Sequence, residues 1–385
     1  ELITNQLVSV QPMNGPISLV FYLDFIYGTS KGSIVRGSKM FDSIGRGPDA
    51  HNYSSEIVED ESVGAGDGDT IAVLTNLAFT PVRPGTVVIT AEAQVVTDDG
   101  NGNLVGDGTG TVNYVTGAIA VTWGGSVTNL APITATYEYD MENNANLPEV
   151  DLVMVQSPVT ARPRKLKTNW SLESAFNLKT LHGLEAETEL TSAVGSQIRF
   201  EIDREVVDRL SKIASAGQDF DVTSVGAESY SERKLAFVDT VVGHGNKIFS
   251  DTGRATATWM VCGVNVANII EALPGFVRIP VSPMVKGPHK SGRLNGSWDI
   301  FKDPFGFLLS GGATKANNFI IGYKGSEFLE AGLVYAPYIP LYTTPLVVLD
   351  DFKARKGLAT QYGVKVVNPK FYTSGKITNP EVTSV

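Results

Sequence analysis

The sequence predicts an α+β fold, with helix and strand segregated along the chain rather than alternating. Helical periodicity is concentrated in one long stretch, residues 169–214, and short strand-like runs with glycine-rich turns flank it on both sides. A charge division points to a separate module. Residues 58–142 hold twelve acidic residues and one basic residue, Arg83, while the remainder holds 29 acidic and 30 basic. The net charge of −10 therefore lies in one block, and it argues against a nucleic-acid-binding surface.

With 385 residues, 42% of them hydrophobic, the chain is long enough for two or three packed units. No apolar run reaches the roughly 18 residues of a membrane span, and no secretory segment opens the chain, so no membrane partner is expected. Cys262 is the only cysteine, which forbids an intrachain disulfide and fits assembly in a reducing compartment. Inside the apolar run TWMVCGV it reads as a small buried hydrophobe.

Residues 17–28 (ISLVFYLDFIYG) form a nearly continuous apolar segment closed by Gly28 and preceded by the turn chemistry of Met13-Asn14-Gly15-Pro16. Residues 31–53 are glycine-punctuated and basic (Lys31, Arg36, Lys39, Arg46). They read as an extended loop, of a length that usually binds something or reaches a neighbour. Residues 58–142 predict a small antiparallel β sandwich or barrel. Ile133, Ala135, Tyr137 and Tyr139 alternate with polar residues, as do Ile119, Val121 and Trp123; Thr116-Gly117 is a hairpin turn and residues 86–97 one further strand. Residues 148–168 return as extended chain with a basic end at Arg162, Arg164, Lys165 and Lys167.

The long helical stretch follows. Leu190, Val194, Ile198, Ile202, Val206, Leu210 and Ile213 recur at steps of three or four and place one apolar stripe on a helix. Glu205 with Arg209, and Asp208 with Lys212, are i,i+4 pairs. Gly183 divides the run into a short helix ending near His182 and a long one over 184–214, roughly 46 Å at 1.5 Å per residue. Gly195 in mid-helix costs about 1 kcal/mol relative to alanine, which predicts another backbone approaching closely there. Residues 215–250 read as polar and mixed. Beyond them come a buried strand at 256–264, a short helix at 266–273 stopped by Pro274-Gly275, strands at 297–301, 319–323, 332–338 and 359–367, and a polar tail.

No pattern in the chain reads as an active site, and no catalytic residue, cofactor or metal is expected. His51, His182, His244 and His289 lack partners at metal-ligand spacing. No nucleophile elbow, phosphate loop or dinucleotide fingerprint occurs, and Gly243-His244-Gly245-Asn246-Lys247 reads as a polar loop. Asp99-Gly100-Asn101-Gly102-Asn103 begins like a calcium loop, but Leu104 and Gly110 stand where glycine and glutamate are needed. A tight hairpin turn is the preferred reading and a weak cation site the alternative.

Several collinear blocks resemble the major capsid proteins of T-even-type tailed bacteriophages: residues 11–28 (QPMNGPISLVFYLDFIYG), 178–190 (LKTLHGLEAETEL), 201–208 (EIDREVVD), 322–325 (GYKG), 331–338 (AGLVYAPY), and 361–364 (QYGV) with Asn368-Pro369. They span both ends and the middle of the chain. Residues 58–142 lie outside the resemblance, although that family also carries an inserted domain in the loop before the long helix.

The resemblance implies the Hong Kong 97-type capsid fold. Its parts would be an N-terminal arm (1–30), an outgoing E-loop (31–57), the inserted domain (58–142), the returning E-loop (143–168), a P-domain with the spine helix (169–245), an A-domain (246–341), and P-domain return strands with a tail (342–385). It implies a non-enzymatic shell protein that self-assembles into hexamers of an icosahedral head, put together in the host bacterial cytoplasm and enclosing DNA without a specific DNA site. A vertex protein, a scaffold, a prohead protease and decoration proteins are the implied partners. Glu1, with Met13 the first methionine, is consistent with a precursor trimmed after a glutamate.

Shell contacts are expected at Arg36, Lys39, Arg46, Arg162, Arg164, Lys165 and Lys167, pairing with carboxylates of adjacent subunits. Leu190, Val194, Gly195, Ile198, Ile202, Val206 and Leu210 are expected to pack the spine. Two rivals stand beside this reading. An encapsulin-like nanocompartment shell would share the fold. A carbohydrate-binding or adhesion protein would use Tyr114, Trp123, Tyr137 and Tyr139 as stacking faces.

Overall fold

The computed structural model divides the chain into two compact units, one of Glu1–Leu23 with Met154–Val385 (the body) and one of Asp24–Val153. Residues 2–40, 50–71, 74–144, 146–223, 230–253, 256–280, 287–309, 315–325, 330–348 and 352–379 are described. The chain enters through a short helix α1 (Thr4–Leu7), a two-residue strand β1 (Ser9–Val10) and the long strand β2 (Ile17–Tyr27).

In Asp24–Val153 one sheet carries the fold. Its strands are β3 (Ile57–Ala65), β4 (Val88–Ala91), β5 (Gln94–Asp98), β6 (Asn103–Gly106), β7 (Gly108–Val112), β8 (Ile119–Trp123) and β9 (Pro132–Glu138), in the order β3-β9-β4-β5-β6-β7-β8. All their pairings are antiparallel. The alternation read from the sequence is the alternation of burial: Ile133, Ala135 and Tyr137 face the core together with Ile119, Val121 and Trp123. Residues 86–97, expected as one strand, are instead the hairpin of β4 and β5. Glu92 takes φ 55° at its turn, so the apolar run folds back on itself.

Before that sheet, Lys31 is 5% exposed. Its ammonium donates to the carbonyls of Asn52 (2.9 Å), Tyr53 (3.1 Å) and Ser55, and lies 5.1 Å from the Tyr139 ring centroid. Burial pulls this amine down to about 8. Lys31 thus ties its loop to the unit's own core.

The body continues with β10 (Val150–Thr160), β11 (Arg162–Ser171), α2 (Leu172–His182), α3 (Ala186–Ile213), β12 (Ser215–Ala216), β13 (Phe220–Asp221), α4 (Tyr230–Thr252), β14 (Trp259–Cys262) and α5 (Val264–Ile270). It ends with β15 (Phe276–Arg278), β16 (His289–Leu294), β17 (Trp298–Lys302), β18 (Asn318–Gly322), β19 (Leu333–Thr343), β20 (Val347–Val348), β21 (Lys353–Val366) and β22 (Tyr372–Thr378). One sheet runs β1-β19-β21-β11, with β20 beside β21; a second runs β12-β22-β18-β14-β17-β16-β15, with β13 also on β22. β2 pairs with β10 as a two-stranded ribbon.

The second sheet is buried on both faces, which is why its central strands read as unbroken apolar runs. Trp259, Val261 and Ile320 pack with α3 in one core, whereas Met260, Cys262, Phe319 and Ile321 pack with α4 and α5 in the other. Cys262 is fully buried and its thiol is pushed up to about 12 by desolvation.

The predicted split at Gly183 is present. That residue closes α2 in the left-handed conformation (φ 65°), its N–H donating to the Lys179 carbonyl. At the other end, the Ser171 hydroxyl accepts from the Ser174 amide. The 28-residue α3 has Glu187 and Glu189 in its first turn and Lys212 in its last, as the helix dipole favours.

The segment expected to be polar and mixed is the place where local reading fails. Residues 230–252 are helix α4, and the Gly243–Lys247 run expected as a loop lies inside it. Two glycines and a histidine masked the period, but Phe237, Val241, His244 and Ile248 step by four, three and four and are all buried. His244 bridges Thr373 Oγ1 (3.1 Å) and the Gln218 carbonyl (2.9 Å), and burial holds its imidazole below the ordinary value. The expected boundary at 245/246 therefore cuts a helix, and those at 168/169 and 341/342 fall inside β11 and β19.

Candidate assembly surface

The basic residues expected to face neighbouring subunits occupy different environments. Arg36 is exposed. Lys39 is paired within its own unit to Asp24 at 2.7 Å. Arg46 lies outside the described residues. On β11 the strand alternation sorts the rest. Arg162, Lys165 and Lys167 are exposed, while Arg164, Leu166 and Thr168 are half-buried or buried.

Arg164 is an internal strut. Its guanidinium donates to Tyr362 Oη (2.5 Å), Glu201 (3.1 Å) and Glu205 Oε2 (2.5 Å). Tyr362 donates in turn to Glu205 Oε2 at 2.5 Å, and Arg209 holds Glu205 Oε1 through Nε (3.1 Å) and Nη2 (2.8 Å). Glu205 thus collects four hydrogen bonds and locks α3 onto β11 and β21. Burial raises its carboxyl, but the bonds from Tyr362, Arg164 and Arg209 outweigh burial and leave it below the usual range. The i,i+4 pairs read from the sequence are present, Glu205–Arg209 at 2.8 Å and Asp208–Lys212 at 2.6 Å. The longer reach of Glu205, across to β11 and β21, had no local signal.

The spine stripe meets strands from the far end of the chain. Ile198, Ile202, Val206 and Leu210 are buried in one core with Leu333, Tyr335, Leu358 and Tyr372; Val194 packs at its margin, and Leu190 is half-buried. Gly195 corrects an expectation. A Cβ there would meet the side chains of Leu341 (3.7 Å) and Leu358 (3.9 Å) at ordinary contact distance, so no backbone crowds it. Gly195→Ala is expected to stabilise the chain by about 1 kcal/mol, read as a higher urea midpoint. An unchanged or lower midpoint would sink that account.

The N-terminal segment is pinned by a residue that periodicity could not single out. Asp203 Oδ1 accepts from the Thr4 amide (3.0 Å) and hydroxyl (2.7 Å), both groups being buried. Ile3, Leu7 and Val8 then enter the spine core, and β1 pairs in parallel with β19, Ser9 opposite Val334. Burial pushes the Asp203 carboxyl up, with the Thr4 bonds opposing.

Large apolar side chains stay exposed on several elements, the β2–β10 ribbon and α2 among them. The β2–β10 ribbon shows Ile17, Leu19, Phe25, Leu152 and Met154, and α2 buries no residue at all while showing Phe176 and Leu181. A monomer rarely leaves such groups in water without an interaction to cover them.

The other candidates are engaged in the protein's own contacts. Asp99 accepts from the amides of Asn101 (2.7 Å) and Asn103 (3.1 Å) and from the Asn103 side chain (3.0 Å), which makes it the core of a turn between β5 and β6. Among the described residues no group of three or more His, Cys, Asp or Glu is placed to hold a metal. Trp123, Tyr137 and Tyr139 are buried, and Tyr114 donates to Asp98 at 2.8 Å, so these rings form no exposed stacking platform.

Comparison with known proteins gives the same direction. The family model described as "Major capsid protein Gp23" matches residues 1–384. The major capsid proteins of Escherichia phage AR1 and Enterobacteria phage T4 are each 27% identical over 96% of this chain and 73% of their own length. That of Vibrio phage KVP40 is 27% identical over 96% of this chain and 74% of its own. Among solved structures, the capsid of Myoviridae phage XM1 aligns with TM-score 0.38 at 12% identity, over 62% of this chain and 80% of that one. The holo-SrpI encapsulin complex of Synechococcus elongatus aligns with TM-score 0.39 at 9% identity, over 59% and 77%. Both are too distant to add to the family match.

Proposed function

The chain belongs to the major capsid protein Gp23 family, and from that premise we propose how it builds its shell. It is a structural protein of the phage head, assembled from many copies and located in the virion. Membership carries the Hong Kong 97-type fold that the resemblance implied, and the α+β body agrees with it. The family match over nearly the whole chain also favours a phage shell over a nanocompartment.

The copies form hexamers, and the hexamers tile an icosahedral shell around DNA that needs no specific site. We assign the arm, E-loop, P-domain and A-domain in the order the resemblance implies, with α4 kept whole on the A-domain side of the spine. A scaffold, a prohead protease, a vertex protein and decoration proteins are its partners in assembly.

The observation that supports this reading is the combination of a buried spine stripe with apolar side chains left exposed on the β2–β10 ribbon and α2. A shell subunit must make heterologous contacts that close into rings, and obligate interfaces bury roughly 2,000–5,000 Å² or more. The ribbon and α2 supply apolar area for that purpose, and Arg36, Arg46, Arg162, Lys165 and Lys167 supply charge for carboxylates of adjacent subunits.

Electron microscopy of the purified chain at rising concentration is the direct test. Hexamers, sheets or closed shells are expected, and a monomer that persists at high concentration would refute the proposal. Reversing the charges of Arg162, Lys165 and Lys167 together should lower particle yield without unfolding the subunit.

A further inference from the structure

We propose that a basic recess beside the start of β11 receives carboxylates from the acidic unit of a second copy of this chain. The inference rests on the shell reading and names the partner of one of its contacts.

The recess has a volume of about 420 Å³ and is walled by β10, β11, α3 and β21. Its charged lining is Arg162, Arg164, Arg209, Lys365 and a single carboxylate, Glu205. That carboxylate is saturated: Oε2 takes Tyr362 and Arg164, and Oε1 takes Arg209. Arg162 and Lys365 are left over. Neither has an anionic partner among the described residues, although Lys365 is half-buried. Two cations without anionic partners lining one recess favour an incoming anion. The wall at β10 is closely fitted, since a Cβ on Gly363 would lie 2.3 Å from Val159 Cγ1.

The charge division of the chain identifies the occupant. Asp24–Val153 contains 18 acidic and 5 basic residues, and the rest contains 23 and 26. In a closed array of identical copies every acidic unit meets near-neutral bodies, so a local cluster of unpaired cations on the body is where complementary potential fixes the register of a contact. A carboxylate lying between Arg162 and Lys365 completes the pairing that Glu205 cannot extend.

The test uses the full chain. Copies grown with ordinary and heavy nitrogen are mixed, assembled, treated with a zero-length carbodiimide and digested for mass spectrometry. The expected product is an isopeptide between Lys365 and a carboxylate of residues 24–153, with ordinary and heavy halves joined in the same molecule. Links from Lys365 only to body carboxylates, links only within one isotope, or no link from Lys365 in particles that cross-link elsewhere would each overturn the proposal. Arg162→Glu with Lys365→Glu should reduce particle yield roughly tenfold while the soluble subunit keeps its circular dichroism spectrum; an unchanged yield counts against it. If wild-type chains form no particles, it is the shell reading that fails, and this inference fails with it. If particles form without the link, only this inference fails.

Discussion

Asp203→Ala is expected to release the N-terminal segment from the spine. The substitution leaves the Thr4 amide and hydroxyl, both buried, without their acceptor. Orphaning them costs about 3 kcal/mol, roughly a hundredfold in the local opening equilibrium. Hydrogen exchange in residues 3–10 should accelerate by that factor while α4 and β14 keep their protection. Asp203→Asn separates geometry from charge. It retains an acceptor oxygen, and because burial already disfavours the ionised carboxyl, it should open the segment far less. Equal exchange in wild type and Asp203→Ala would mean that Ile3, Leu7 and Val8 hold the segment by packing alone.

The second large effect belongs to Glu205. Glu205→Ala removes the only carboxylate that Arg209 bonds among the described residues, one of the two that Arg164 holds, and the acceptor of Tyr362. Breaking one partner of a buried pair costs about 3–5 kcal/mol, and partial exposure of these side chains reduces that to about 2–3. Urea unfolding of the unassembled chain should show the loss, with Glu205→Gln intermediate.

Acid gives an independent reading. The folded Glu205 carboxyl lies below its ordinary value, so the folded state binds fewer protons than the unfolded one. Its stabilisation is present above the unfolded pKa and is lost as pH falls through the folded pKa. Asp203 has the opposite sign: its raised carboxyl makes its contribution largest at low pH, and that contribution fades as pH rises through the folded value. Glu205→Gln should therefore flatten the acid limb of the stability profile, and Asp203→Asn should steepen it. A Glu205→Gln profile that superimposes on wild type would show that the network is not coupled to folding.

Legibility followed the range of the interactions. The helix break at Gly183, the spine stripe and the alternation of β9 rest on neighbours within four residues, and each was readable directly. The β4–β5 hairpin was missed because its turn, Glu92-Ala93, carries no glycine, proline or asparagine, and only the positive φ of Glu92 reveals the reversal. Helix α4 was missed because Gly243 and Gly245 weaken local propensity, which burial of Phe237, Val241 and Ile248 overrides. Of the basic residues expected at the surface, Arg164 and Lys39 proved to have partners within the chain. Charge and residue type alone do not distinguish a strut from a contact.

The sequence by itself determined the α+β class, the acidic β module, the two-part spine and, through its collinear blocks, the family. These follow from periodicity, composition and wording, which are properties of short windows. Only the tertiary structure decided which residues fasten those parts together. Asp203 meets Thr4 across 199 residues and Glu205 meets Tyr362 across 157. β22 completes the sheet of β18 in a register, Ile320 opposite Ser374, that no local pattern encodes. Such pairings are selected by the simultaneous burial of two sheet faces and the satisfaction of buried charge, conditions that exist only once the chain has closed.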